Sequence, residues 1–146
     1  MFRGTSYHRL DPKGRFVVPS RFRDGIGADG AAMITFFEGG LYAYNLKEWA
    51  DIETRLQMLE KKSTQMRRFR RFFIGRAVEC RPDKQWRVLI PPELREDAGL
   101  EDEVVFIGIS DHFEIWSREK WEEQKSLHEA DMDDEDFQYE IEKLGL

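Results

Sequence analysis

Apolar and polar positions fall into short blocks along this chain, and the same order of blocks occurs twice. In the first half, residues 6–10 read as a short strand, and the apolar run Phe16-Val17-Val18 suits a second. Pro19 ends that ladder and opens a short helix over 20–24, and Gly27 stands where a helix C-terminus favours a left-handed residue. A hairpin follows, with strands over 32–37 and 41–44 around Gly39-Gly40. The second half runs in the same order: a strand over 77–81, the run Val88-Leu89-Ile90, then Pro91, a helix over 92–98 and Gly99. Its hairpin has strands over 104–109 and 113–116 around Ser110-Asp111-His112. Each half closes in a helix carrying a tryptophan, Trp49 or Trp121. Asn45 with Glu48 has the spacing of a capping box, and Ser117 is an N-cap with Glu119 in the first turn.

Two stretches fall outside the alternation. A helical connector is predicted over 47–61 and 64–73, where Leu46, Trp49, Ile52, Leu56 and Leu59 recur at helical spacing. Within it, Met66-Arg67-Arg68-Phe69-Arg70-Arg71-Phe72-Phe73 reads as a core-packing helix whose arginines are solvated or paired with acids across a subunit contact. A stacking platform for single-stranded nucleic acid is the alternative for this segment. After Gln124 the chain turns acidic, and the run Asp131-Met132-Asp133-Asp134-Glu135-Asp136 reads as solvated or disordered. Phe137, Tyr139, Ile141 and Leu144 supply a short amphipathic end.

The two halves match residue by residue. Asp11-Pro12-Lys13-Gly14-Arg15 recurs as Asp83-Lys84-Gln85-Trp86-Arg87, an offset of 83 − 11 = 72 residues. Without a gap, that offset also pairs Arg9 with Arg81, Pro19 with Pro91, Arg23 with Arg95, Gly27 with Gly99 and Trp49 with Trp121. A repeat of this length is a structural unit. Half of a 146-residue chain, with about four short strands, buries too little apolar area and leaves its strand edges unpaired. Interleaving the strands of both copies solves both problems. The expected fold is therefore α+β and mainly β: one small barrel with pseudo-twofold symmetry and helices packed outside it.

Charge changes the picture only when it is counted by segment. The net charge of −6 argues against a nucleic-acid partner, yet residues 1–23 hold six bases and one acid, and residues 61–95 hold eleven bases and three acids. From Glu96 onwards there are eighteen acids and four bases. Binding responds to local potential, and the two basic stretches are those containing the repeated motif. The single cysteine, Cys80, makes no intrachain disulfide and fits a reducing compartment. The opening Met1-Phe2-Arg3-Gly4-Thr5 lacks an apolar core, and the apolar stretch 104–109 is too short to span a bilayer. A soluble cytoplasmic protein with no membrane partner is expected.

An Asp-x-x-x-Arg loop has two readings. In one it is a turn capped by its aspartate and closed by a salt bridge. In the other the aspartate stays structural while the arginine and its neighbours form a presented cationic loop, since the guanidinium fork suits phosphates and guanine edges. Arg3, Arg9, Lys13 and Arg15 lie close together along the first copy, and Gly14 lets a backbone approach closely. Trp86 stands at the equivalent place in the second. An aspartate dyad formed by Asp11 and Asp83 is disfavoured because each has an arginine four residues away to keep it ionised. His8, His112 and His128 are far apart and no metal-ligand spacing is present. With no catalytic or cofactor motif either, no enzyme, cofactor, metal or small-molecule substrate is expected.

These residues resemble the MraZ family, bacterial transcriptional regulators built from two SpoVT-AbrB domains. The resemblance rests on Met1-Phe2-Arg3-Gly4, Leu10-Asp11-Pro12-Lys13-Gly14-Arg15 and Pro19-Ser20-Arg21-Phe22-Arg23. It continues through Gly75-Arg76-Ala77-Val78-Glu79-Cys80, Asp83-Lys84-Gln85-Trp86-Arg87-Val88-Leu89-Ile90-Pro91, Glu114-Ile115-Trp116 and Trp121. It implies a swapped-hairpin, double-split barrel, closed rings of subunits, and repression through direct DNA repeats upstream of the division and cell wall gene cluster. By the same resemblance Arg15 is the key DNA contact, oriented by Asp11; with the residues clustered around it the expected DNA-binding set is Arg3, Arg9, Lys13, Gly14, Arg15 and Arg87, with Asp11 and Asp83 as structural motif residues, in a nucleoid-associated protein. The family normally has glycine where this chain has Trp86. The expected division is a first repeat over 5–49, a connector over 50–75, a second repeat over 76–121 and an acidic segment over 122–146. A rival reading is a protein-interaction scaffold like the antitoxins of this barrel type, with the acidic tail as binding segment. Deleting residues 129–146 separates the two, because only the scaffold loses its partner.

Overall fold

The computed structural model describes residues 1–27, 30–59 and 63–146. In chain order the elements are β1 (Phe2–Arg9), β2 (Arg15–Val17), α1 (Ser20–Ile26), β3 (Ala32–Phe37), β4 (Gly40–Asn45), α2 (Leu46–Gln57) and α3 (Thr64–Phe73). They continue with β5 (Val78–Cys80), β6 (Arg87–Leu89), α4 (Pro92–Ala98), β7 (Glu103–Ser110), β8 (Phe113–Ser117), α5 (Arg118–Asp131) and α6 (Glu135–Glu142). The fold is α+β, with a six-stranded antiparallel sheet in the order β1-β7-β8-β4-β3-β5, a two-stranded ribbon β2-β6, and six helices among the described residues.

The strands are exchanged between the halves. β1 pairs with β7 and β5 with β3, and the two registers coincide at the offset of 72: Ala32↔Cys80 maps onto Val104↔His8, and Ile34↔Val78 onto Phe106↔Ser6. The ribbon pair Phe16↔Val88 and the sheet pair Tyr42↔Glu114 map onto themselves, so the pseudo-twofold axis passes through both.

Alternation sorts the side chains of the sheet into two layers. On one side the ribbon, α1 and α4 close over a core of Phe2, Phe16, Phe22, Val88, Leu94, Phe106, Phe113 and Ile115, all buried. Phe106 is its centre, with Phe16 of the ribbon at 5.0 Å, His8 at 5.1 Å and Phe113 at 6.2 Å between ring centroids. On the other side α2 and α3 pack Trp49, Phe69 and Phe73 against β3 and β4, while Trp121 of α5 packs on Val105, Ile107 and Trp116. Thr35, fully buried, donates its hydroxyl to the carbonyl of Phe73 at 2.6 Å and fixes the end of α3.

Several elements differ from the sequence reading. β1 reaches back to Phe2, because its partner strand in the other half continues to Ser110. The first helix runs to Ile26 rather than residue 24. The acidic run is solvated but ordered: α5 extends to Asp131, and the Asp134 side chain accepts from the Asp136 amide to start α6. Within the connector α2 ends at Gln57, which leaves Leu59 outside the helix and exposed, and positions 60–62 lie outside the described residues. No described helix is long and apolar enough to cross a membrane.

His112, in the β7–β8 turn, has both ring nitrogens on carboxylates: Nδ1 on Asp111 at 2.7 Å and Nε2 on Glu114 at 2.8 Å. Its ring stacks on Tyr42 at 4.9 Å and lies 5.1 Å from Tyr44. Burial pulls its pKa down, but the hydrogen bonds to Glu114 and Asp111 outweigh it, and the net shift is upward from 6.5. Two carboxylate acceptors are both satisfied only when each ring nitrogen carries a proton, so the arrangement favours the imidazolium. Because the folded pKa lies above the unfolded one, the stabilisation is fully present below pH 6.5 and is lost as pH rises through the folded value. Thermal melts should therefore show the loss above that pH in the native chain and a weaker one in His112→Gln; parallel profiles would contradict the clamp.

Candidate nucleic-acid interface

Both copies of the motif fold alike. Asp11 Oδ1 accepts the amides of Lys13 and Arg15, each at 2.9 Å, and its Oδ2 accepts Arg15 Nε at 2.6 Å. Asp83 Oδ1 accepts the amides of Gln85 at 2.8 Å and Arg87 at 2.9 Å, with Oδ2 on Arg87 Nε at 2.7 Å. The amide bonds from Arg15 and Arg87, followed by their side chains, hold both carboxyls below their ordinary 3.8. Each aspartate is thus an ionised pin: it spends both oxygens on its own loop and fixes the guanidinium through Nε. The terminal Nη edge of each arginine stays available, which is the edge that pairs bidentately with phosphate or guanine.

The fourth position of each loop needs a left-handed backbone. Gly14 has φ +83° and Trp86 φ +62°. For a residue with a Cβ this conformation costs on the order of 1–2 kcal/mol. Trp86 offsets that cost by packing its ring against the core and beneath the Arg23 guanidinium, 5.2 Å from the ring centroid. At the other loop Arg95 occupies the matching place over Gly14, where an added Cβ would sit 2.4 Å from its guanidinium carbon. Each of these arginines is anchored by Nε, Arg23 on the Val18 carbonyl and Arg95 on that of Ile90, both at 3.1 Å.

The loops occupy opposite ends of the ribbon. Val18 N donates to the Trp86 carbonyl at 2.8 Å and Ile90 N to that of Gly14 at 3.1 Å, which extends the β2-β6 ladder by a residue at each end. Four residue steps separate the loops, about 14 Å at ~3.4 Å per step. Phe16 and Val88 point into the core, so Arg15, Val17, Arg87 and Leu89 form the outer face. Three cations gather at each end: Lys13, Arg15 and Arg95 at one, Lys84, Arg87 and Arg23 at the other.

Of the residues singled out from the sequence, Lys13, Gly14, Arg15 and Arg87 share this ribbon face, with Asp11 and Asp83 as their pins. Arg3 and Arg9 do not join them. They pair with Ile109 and Glu103 across β1-β7, on the sheet face opposite the ribbon, about 20 Å apart along the strand. Arg9 is engaged by Asp102 at 2.8 Å and Glu103 at 3.1 Å. Arg23 and Arg95 were not expected at the site; their pairing at the offset of 72 was the only signal.

Fold and site together define an α+β protein of two intertwined repeats that presents a cationic two-stranded ribbon. A family model described as "MraZ protein, putative antitoxin-like" matches residues 1–72 and again 73–138. The Transcriptional regulator MraZ of Desulfosudis oleivorans is 82% identical over 146 residues, covering all of both chains. Those of Desulforapulum autotrophicum and Pelotomaculum thermopropionicum are 51% identical over the full length of both chains and 46% identical over 86% of each. The chain belongs to the MraZ family.

Proposed function

We propose that the chain is a DNA-binding transcriptional regulator that reads duplex DNA with its ribbon face. The observation carrying this reading is the pair of Asp-pinned arginines, Arg15 and Arg87, presented with exposed Lys13 and Lys84 on one face of an otherwise anionic protein. The names of its relatives point the same way. Arg3 and Arg9 have no part at the ribbon in this reading; at most they steer DNA from a distance.

The finer reading is a repressor of the division and cell wall gene cluster that binds direct repeats in its own promoter as a closed ring. Crosswise pairing of the two halves supports the swapped-hairpin, double-split barrel, with repeats over 5–49 and 76–121, a connector over 50–75 and an acidic segment over 122–146. Cationic α3 and acidic α5–α6 are unlike surfaces on one chain, which favours head-to-tail contacts between copies, and such contacts generate rings when the rotation between copies closes. A ring aligns several ribbons on evenly spaced sites, and contacts after the first are then intramolecular.

Salt dependence of binding to a random-sequence duplex library tests the proposal. Counterion release gives a slope of about −0.9 in log K against log salt per phosphate neutralised, so affinity should fall steeply from low to physiological salt. An affinity that salt leaves unchanged, or no binding at low salt, would overturn it.

A further inference from the structure

The ribbon's outer face is not wholly cationic. Register puts Arg15 opposite Leu89 and Val17 opposite Arg87, so the arginines occupy one diagonal and two apolar residues the other. Val17 is 48% exposed and Leu89 53%. Their inward neighbours, Phe16 and Val88, already supply the ribbon's share of the core. Among the described residues, neither Val17 nor Leu89 belongs to a core cluster, and polar residues would be better solvated at these two outward positions. Two such residues at the middle of the cationic face, equivalent under the 72-residue offset, suit a partner that is apolar at one point and anionic around it.

We infer that Val17 and Leu89 read the C5-methyl groups of thymine in the major groove. This rests on the DNA-binding reading above. A two-stranded ribbon fits the major groove, where the thymine methyl is the one apolar group that a base edge presents. Diagonal neighbours on a ribbon lie about 7–8 Å apart, close to two base-pair steps of ~3.4 Å. While Arg15 and Arg87 turn their Nη edges to bases or phosphates, the apolar diagonal crosses the groove floor between them. Specificity then has two independent parts: guanidinium forks for acceptor-rich positions, and Val17 and Leu89 for thymine.

The test begins with duplexes selected by the full-length protein from a random-sequence library. In a selected duplex each thymine is replaced singly by uracil, which removes only the methyl. Affinities are compared for the native chain, Val17→Ser and Leu89→Ser, since threonine would keep a methyl able to contact thymine. Both substitutions lie at solvent-facing strand positions, and thermal melts check that the fold is kept. At one or two thymine positions uracil should weaken the native chain about four-fold, equivalent to ~0.8 kcal/mol for one buried methyl. The variant at the matching position should bind thymine and uracil alike. If no position responds to loss of the methyl, or if both variants keep the full thymine preference, the inference fails. If the variants lower the native mass and leave the thymine preference intact, the apolar pair belongs to a contact between copies and the inference fails. A library from which nothing is enriched would instead sink the DNA-binding reading itself.

Discussion

Arg15→Ala should weaken binding to a selected duplex by about 100-fold or more while leaving the melting temperature nearly unchanged. Asp11 keeps the amides of Lys13 and of residue 15 after the side chain is gone, so the loop stays closed. Only the Nε bond to Asp11 is lost from the fold, and that is a partly exposed ion pair of small net worth. On the DNA side a bidentate arginine is worth about 1–3 kcal/mol, and the loss multiplies when several subunits engage neighbouring sites. Arg87→Ala, in the loop whose fourth residue is Trp86, should cost less, about ten-fold. Gel shifts across a protein titration check both. An unaltered shift for Arg15→Ala would remove the first loop from the interface, and equal losses for the two variants would make the loops equivalent readers.

Phe106→Ala should cause the largest loss of stability among single core truncations, about 3–5 kcal/mol. Its ring is fully buried between Phe16 under the ribbon and His8 and Phe113 on the sheet. The vacated space lies between the sheet and the ribbon and is closed by short strands, so little can collapse into it. For a chain of this size the melting temperature should fall by about 10 °C. Because the ribbon rests on this ring, DNA binding should weaken even at temperatures where the sheet remains folded. Ile109→Ala, at an exposed position on β7, is the control and should change stability by about 0.5 kcal/mol or less. A loss below 1 kcal/mol for Phe106→Ala would mean that the ribbon is not seated as described.

The ribbon and the hairpins were legible because apolar blocks and prolines mark them, and the repeat offset was legible because Asp11/Arg15 and Asp83/Arg87 match exactly in spacing. Spatial neighbourhood was not. Arg3 and Arg9 are close to Arg15 in the chain, but an extended strand carries them along its length and its alternation turns them to the opposite face. Arg23 and Arg95 lie in helices remote from the loops they cover, since each crosses to the loop of the other repeat. The His112 clamp depends on Tyr42 and Tyr44 from another strand pair, which no local pattern announces. Asp131 to Asp136 has the composition of a disordered tail, yet it joins two helices, each started by a side-chain cap, Ser117 for α5 and Asp134 for α6.

Amide hydrogen exchange, measured with and without a selected duplex, decides which surface meets DNA. Protection should concentrate in residues 11–17 and 83–89, the two loops and the ribbon joining them. Unchanged exchange there, with or without new protection elsewhere, would contradict the ribbon interface.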